Sequence, residues 1–182
     1  MSETSQPMSI EVLYPAEAVA ERTHALAAEI RSAGFHENVL VVAVLKGSFV
    51  FAADLIRALH HAGVSPQVDF ISLSSYRAGT TSSGTVSVLR DLETDVRGRD
   101  VLIVDDILES GRTLAFARDL VTARGARRVG VVVLLDKPGK RVAAVEADFV
   151  GFDCPDKFVV GYGMDKAHAF RELPFIGYIP EP

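Results

Sequence analysis

Three short aliphatic runs constrain the fold of this chain more than any other feature: NVLVVAVL at 38–45, DVLIVDD at 100–106 and VGVVVLL at 129–135. Each is rich in β-branched residues, lacks the polar alternation of a half-exposed strand and is too short for a good helix. Each therefore fits a strand covered on both faces. Segments of helical spacing follow the first two runs. SFVFAADLIRALHHAG ends at Gly63, and a helix over 112–124 is stopped by Gly125. An earlier helix starts near Pro15, repeats apolar residues at Val19, Leu26, Ala27 and Ile30, and stops at Gly34. QVDFISLSSY and TVSVL add two strands, with RAGTTSSG between them as a flexible loop. Strand, helix and strand in repetition predict an α/β fold, a mainly parallel sheet flanked by helices on both faces.

With 182 residues, 48% of them hydrophobic, the chain is long enough for one domain with a substantial core and too short for two, so 1–182 is expected to be a single domain. Residues 1–9 are polar and expected to be disordered. After Lys137 the pattern becomes aromatic and rich in glycine and acid, which predicts short strands and loops capping one edge over 137–182. A net charge of −5 gives no general bias toward nucleic acid or an anionic membrane, so an anionic ligand must be held locally. The longest apolar run is far short of a bilayer span, and MSETSQPMSI has neither the basic nor the apolar region of a secretory leader. The expected location is cytoplasmic. A single cysteine, Cys154, excludes an internal disulfide and reads as a small buried apolar side chain.

The chemistry gathers where the second run ends. Asp105 and Asp106 follow four apolar residues, and Glu109, Ser110, Gly111, Arg112 and Thr113 come next. In open α/β sheets, ligands sit beyond the carboxyl ends of the strands, where loops lead into helices. Backbone N–H groups at 110–113, with the Ser110 and Thr113 hydroxyls, suit a phosphate. Carboxylates so near would repel it unless they faced hydroxyl groups or a cation. A sugar phosphate with its Mg²⁺ meets both demands. Taken alone, the acidic pair also fits carboxylates that cap the helix in solvent. Neither GxxxxGK[ST] nor GxGxxG occurs in the chain, which sets aside two other nucleotide motifs.

The complete string, from the apolar run through the acids to Ser-Gly-Arg-Thr, resembles the phosphoribosyl-pyrophosphate signature of type I phosphoribosyltransferases. VLKGSFVFAADLIR, SSY at 74–76, and DFVGFDCPDKFVVGYGMD followed by FREL resemble the hypoxanthine-guanine members, in order, from residue 38 to 179. The resemblance implies the type I phosphoribosyltransferase fold with a small C-terminal hood. It also implies transfer of phosphoribosyl from 5-phosphoribosyl 1-pyrophosphate to a 6-oxopurine, with Mg²⁺ as cofactor.

Site residues follow from the same likeness. Asp105 and Asp106 would hold the ribose hydroxyls beside Mg²⁺, Ser110, Gly111, Arg112 and Thr113 the 5′-phosphate, and Asp165 would approach a second Mg²⁺. Lys46 and Gly47 match the pyrophosphate loop, where the family has a cis peptide bond not followed by proline, and Arg171 adds a second cation. Lys137, Phe158 and Val159 match the purine pocket. There the Phe158 ring would stack on the base, the Lys137 ammonium would donate to the oxygen at C6, and the backbone at Val159 and Asp165 would read the other edge. Adenine would oppose Lys137 with a second donor and be rejected. Residues 76–84 match a mobile lid, with Ser75 and Tyr76 closing over the pyrophosphate to exclude water.

This chain departs from the family pattern in places. Glu109 stands where most relatives carry Asp as the general base facing the purine N7, and is one methylene longer. Asp105 stands where Glu is common, and Pro138 restricts the backbone of Lys137. Two other readings stay open on the sequence. One is a regulator of the same fold that senses phosphoribosyl pyrophosphate or a nucleotide, with Arg124, Arg127 and Arg128 as a nucleic-acid patch. The other is a transferase that prefers xanthine. The negative charge counts against the first, and Lys46, Asp165 and Arg171 favour an enzyme. The expected partners are small-molecule substrates, without nucleic acid or membrane, and the likeness suggests a homodimer or homotetramer.

Overall fold

The computed structural model describes residues 9–75 and 86–180. Its elements are β1 (Glu11–Tyr14), α1 (Ala16–Ser32), β2 (Val39–Leu45), α2 (Phe49–His61), β3 (Gln67–Ser75), β4 (Val86–Arg90), β5 (Asp100–Leu108), α3 (Arg112–Ala123), β6 (Arg128–Asp136), β7 (Phe149–Asp153), β8 (Val159–Val160) and β9 (Ile176–Tyr178), with a 3₁₀ turn at Pro138–Lys140. The expected disordered segment, residue 9 excepted, and the expected lid at 76–84, Tyr76 included, lie outside the described residues.

Six strands form one sheet in the order β4, β3, β2, β5, β6, β7. All neighbours are parallel except β3 and β4. The aliphatic runs carry no polar alternation because both faces are covered. Val39, Val41 and Ala43 pack with Leu26 and Ile30 of α1 and Phe51 and Leu55 of α2. Leu40, Val42 and Val44 pack on the other face with Leu114, Ala117 and Val121 of α3. Each fully buried Val, Leu or Ile contributes roughly 1.5–3 kcal/mol, so the central strands anchor both layers.

The chain runs from β2 through α2 to β3, toward one edge, and from β5 through α3 to β6, toward the other. The order therefore reverses between β2 and β5, which pair in register from Val39↔Asp100 to Ala43↔Val104. This switch point brings the carboxyl ends of the two strands side by side, with Lys46 and Gly47 on one and Asp105 and Asp106 on the other.

Three features differ from the sequence reading. β5 continues two residues past Asp106 and pairs with β6 as far as Leu108↔Asp136, so both acids lie within the strand. β7 lies in the stretch whose composition reads as a cap, yet it pairs parallel with β6 and extends the main sheet. The hood is a separate three-stranded antiparallel sheet in the order β1, β9, β8, so the N-terminal strand, which no sequence signal marked, supplies one edge of it.

Candidate active site

The turn after β2 starts with a cis peptide bond between Leu45 and Lys46. It is held locally, because the Phe49 N–H donates to the Lys46 carbonyl at 3.2 Å and the buried Ser48 hydroxyl donates to the Val44 carbonyl. Lys46 itself is exposed. Gly47 lies against the Asp106 carboxylate on one side, and its carbonyl oxygen lies 2.4 Å from where a Cβ on Gly163 would be. Both glycines are needed for this close approach of three segments. Gly163 begins a tight loop in which its N–H donates to the Arg171 carbonyl at 3.0 Å, while Arg171 Nη1 donates to the Gly163 carbonyl at 2.6 Å.

Asp105 is buried and Asp106 partly so. Burial pushes the Asp105 carboxyl well above the usual carboxylate range, and the negative charge of Asp106 beside it adds to the effect. Burial also raises Asp106, against hydrogen bonds from Asp105 and the Ile107 N–H and the positive charge of Arg171. The Ile107 N–H donates to Asp106 Oδ1 at 2.8 Å, and the Asp106 N–H to Asp105 Oδ1 at 3.0 Å. Two acids in so dry a place are poised for neutral hydroxyl donors or a cation.

Asp165 is braced within its own loop. Arg171 Nη2 lies 2.9 Å from Asp165 Oδ1, and the His168 N–H donates to Asp165 Oδ2 at 2.7 Å. Among the described residues no group of three or more His, Cys, Asp or Glu could hold a metal ion by itself. Asp105 and Asp106 nonetheless offer the hard oxygen donors that Mg²⁺ prefers, and this ion commonly takes only one or two protein carboxylates and completes its shell with water and phosphate oxygens.

The turn from β5 into α3 is clasped from outside. Gly111 has φ 80°, and α3 starts at Arg112 without a side-chain cap, although the Arg112 N–H approaches the Ser110 hydroxyl at 3.4 Å. The N–H groups that open a helix lack intrahelical partners, so the start of α3 is chemically suited to an anion. The Ser110 carbonyl accepts from the Val142 and Ala143 N–H groups. Arg141 donates to the Leu108, Glu109 and Val145 carbonyls at 3.1–3.2 Å and pairs with the Asp136 carboxylate.

At the far end of the crevice Lys137 is almost fully buried. Its Nζ donates to the Lys157 carbonyl at 3.0 Å and lies 3.1 Å from both Glu109 Oε1 and Asp156 Oδ1. Burial alone would lower its pKa, but hydrogen bonds to Glu109 and Asp156 outweigh it and hold the ammonium charged. Phe158 is 55% exposed, a flat apolar surface open to a ligand, and Val159 follows it at the start of β8. Cys154 is buried, as its residue type suggested, and burial raises its thiol pKa.

The structure therefore draws Lys46, Gly47, Asp105, Asp106, Asp165 and Arg171 to the switch point. It places 110–113 at the start of α3, and Glu109 and Lys137 in one ion pair. Ser75 ends β3, where it pairs with Val86. Sequence reasoning missed Arg141, Lys140 and Asp156. Three cations within KPGKR, directly after a strand end, are the one signal that marks the first two.

The profile of the phosphoribosyl transferase domain matches residues 9–167, so the chain belongs to the phosphoribosyltransferase family. The hypoxanthine-guanine phosphoribosyltransferase of Bacillus subtilis is 45% identical over 168 residues, 92% of each chain. That of Streptococcus agalactiae is 42% identical over 170 residues, 93% of each. The crystal structure of a hypoxanthine-guanine phosphoribosyltransferase from Bacillus anthracis, with a HEPES molecule in its active site, superposes with a TM-score of 0.88 at 41% identity, covering 96% of this chain and 100% of that one. Within the family, the chain's place is among the hypoxanthine-guanine phosphoribosyltransferases.

Proposed function

We propose that the chain transfers the phosphoribosyl group of 5-phosphoribosyl 1-pyrophosphate to hypoxanthine or guanine, forming IMP or GMP and pyrophosphate in purine salvage. The observation that carries this reading is the convergence at one switch point of a buried acidic pair, a Lys-Gly turn and an uncapped helix start, with an ion-paired lysine and an exposed aromatic ring at the base-reading end. The relatives named above carry the same activity in their names.

Each residue then has a task set by its surroundings. The amide groups and hydroxyls at 110–113 hold the 5′-phosphate. Asp105 and Asp106 accept from the ribose hydroxyls, where hydrogen bonds compensate their burial. Asp105 and Asp106, with Asp165, would hold Mg²⁺, which would supply positive charge to the departing pyrophosphate. Lys46, the Gly47 turn and Arg171 receive that group. Phe158 stacks on the purine, Lys137 donates to its C6 oxygen, the backbone at Val159 and Asp165 reads the opposite edge, and Glu109 accepts the proton that the base sheds on forming its glycosidic bond. A homodimer or homotetramer is the proposed assembly.

Release of pyrophosphate decides the matter. Phosphoribosyl pyrophosphate, Mg²⁺ and each of hypoxanthine, guanine, xanthine and adenine are mixed in turn with the protein. Turnover with hypoxanthine or guanine and none with adenine is expected; no turnover with any purine would sink the reading.

A further inference from the structure

Four charged side chains form a closed set at the base-reading end. Lys137 faces Glu109 Oε1 and Asp156 Oδ1, both at 3.1 Å. Lys140 faces the same two oxygens, at 3.7 Å and 3.3 Å. Each carboxylate therefore meets both ammonium groups. Lys137 precedes the 3₁₀ turn Pro138–Lys140 and Lys140 ends it, three positions on, and both ammonium groups reach the same two acids. Arg141, the next residue, turns inward and grips the backbone carbonyl of the same Glu109.

The lysines differ in burial. The Lys137 side chain is 8% exposed and that of Lys140 is 59% exposed. An ammonium has three donors, and Lys137 directs its own at Glu109, Asp156 and the Lys157 carbonyl. A purine oxygen is served only when one of these contacts loosens. Where the contact that loosens is one of the two to a carboxylate, that acid would face no cation unless a second one stood beside it.

We propose that Lys140 is a positioning residue of the purine site, keeping the Glu109 and Asp156 carboxylates paired while the Lys137 ammonium turns to the exocyclic oxygen of the base. The inference rests on the 6-oxopurine reading above and deepens it. Asp156 fits the role, since hydrogen bonds from Lys137 and then Lys140 hold its carboxyl below the usual range and so keep it ionised. Lys140 touches no substrate in this scheme. It acts through the two acids, and its exposure makes the expected effect moderate.

Steady-state kinetics on Lys140→Ala, Lys140→Arg and Lys140→Glu, with purine and phosphoribosyl pyrophosphate varied separately, test it. The Ala variant should raise the purine KM about two- to fivefold, in keeping with a largely exposed ion pair, while the KM for phosphoribosyl pyrophosphate stays as it was. Arg should restore the purine KM and Glu should raise it beyond Ala. An unchanged purine KM in the Ala variant, an equal rise in both KM values, or failure of Arg to rescue overturns the inference and leaves the activity intact. Absence of turnover by the unsubstituted protein overturns both.

Discussion

Gly47 and Asp106 meet so closely that a Cβ on the glycine would lie 1.8 Å from Asp106 Oδ2. Gly47→Ala must therefore push aside either the carboxylate or the turn that follows β2. A misplacement on the scale of 1 Å costs about 10²-fold in rate, and that fall is expected in kcat/KM for phosphoribosyl pyrophosphate. Kinetics measured alongside thermal melting separate the effect from loss of folded protein. Unaltered kcat/KM would mean that the Asp106 carboxylate need not stay where it is.

Arg141 joins the end of β5, the turn that leads into α3 and Val145 through one guanidinium. A lysine cannot reproduce that planar fork. Both Arg141→Lys and Arg141→Ala should lower stability, by about 1–3 kcal/mol for the Ala variant, because the Asp136 carboxylate and carbonyl acceptors lose their donor. Urea unfolding reads this directly. The KM for phosphoribosyl pyrophosphate should rise as well, because the turn at 110–113 loses its outer clasp.

Glu109→Gln keeps the size of the side chain and removes its capacity to take a proton. General-base catalysis contributes ~10²- to 10⁴-fold, so kcat should fall within that range. An undiminished kcat would remove Glu109 from the proton transfer while leaving phosphoribosyl transfer in place.

The opposite end of the sheet carries a pH-dependent element. Buried Asp100 pairs with Arg127 at 2.8 Å and Arg128 at 2.9 Å. The hydrogen bond from Arg127 holds the Asp100 carboxyl below its ordinary 3.8, against the opposing effect of burial, and Arg128 adds to it. The unfolded chain therefore binds this proton more readily than the folded one. The stabilisation is complete above the unfolded pKa and is lost as pH falls through the lowered folded value. Asp100→Asn should lower the thermal midpoint at neutral pH, and the gap between the two proteins should narrow below about pH 4. A gap that stays constant down to acid unfolding would contradict this assignment.

Much of this was legible in the residues, for identifiable reasons. β2, β5 and β6 are covered on both faces, so their burial is written as unbroken aliphatic runs, and the acids at the end of β5 interrupt that pattern visibly. The rest was hidden by length or by distance along the chain. β1 has four residues and β8 two, too few to show a period. β7 reads FVGFD, in which Gly151 is required because a Cβ there would lie 2.4 Å from the Leu134 carbonyl oxygen, and a glycine amid aromatics reads as a loop. The Glu109–Lys137 pair and the Arg141 clasp join residues about thirty positions apart, and only the fold brings them together.

The hood sheet closes the chain on itself, because Glu11 pairs with Tyr178 and the Tyr178 hydroxyl donates to the Glu11 carboxylate. During synthesis, β1 must wait, its edge unsatisfied, until the segment carrying Ile176–Tyr178 has emerged. The central layers can therefore form before the roof over them is finished, although one of its strands is made first.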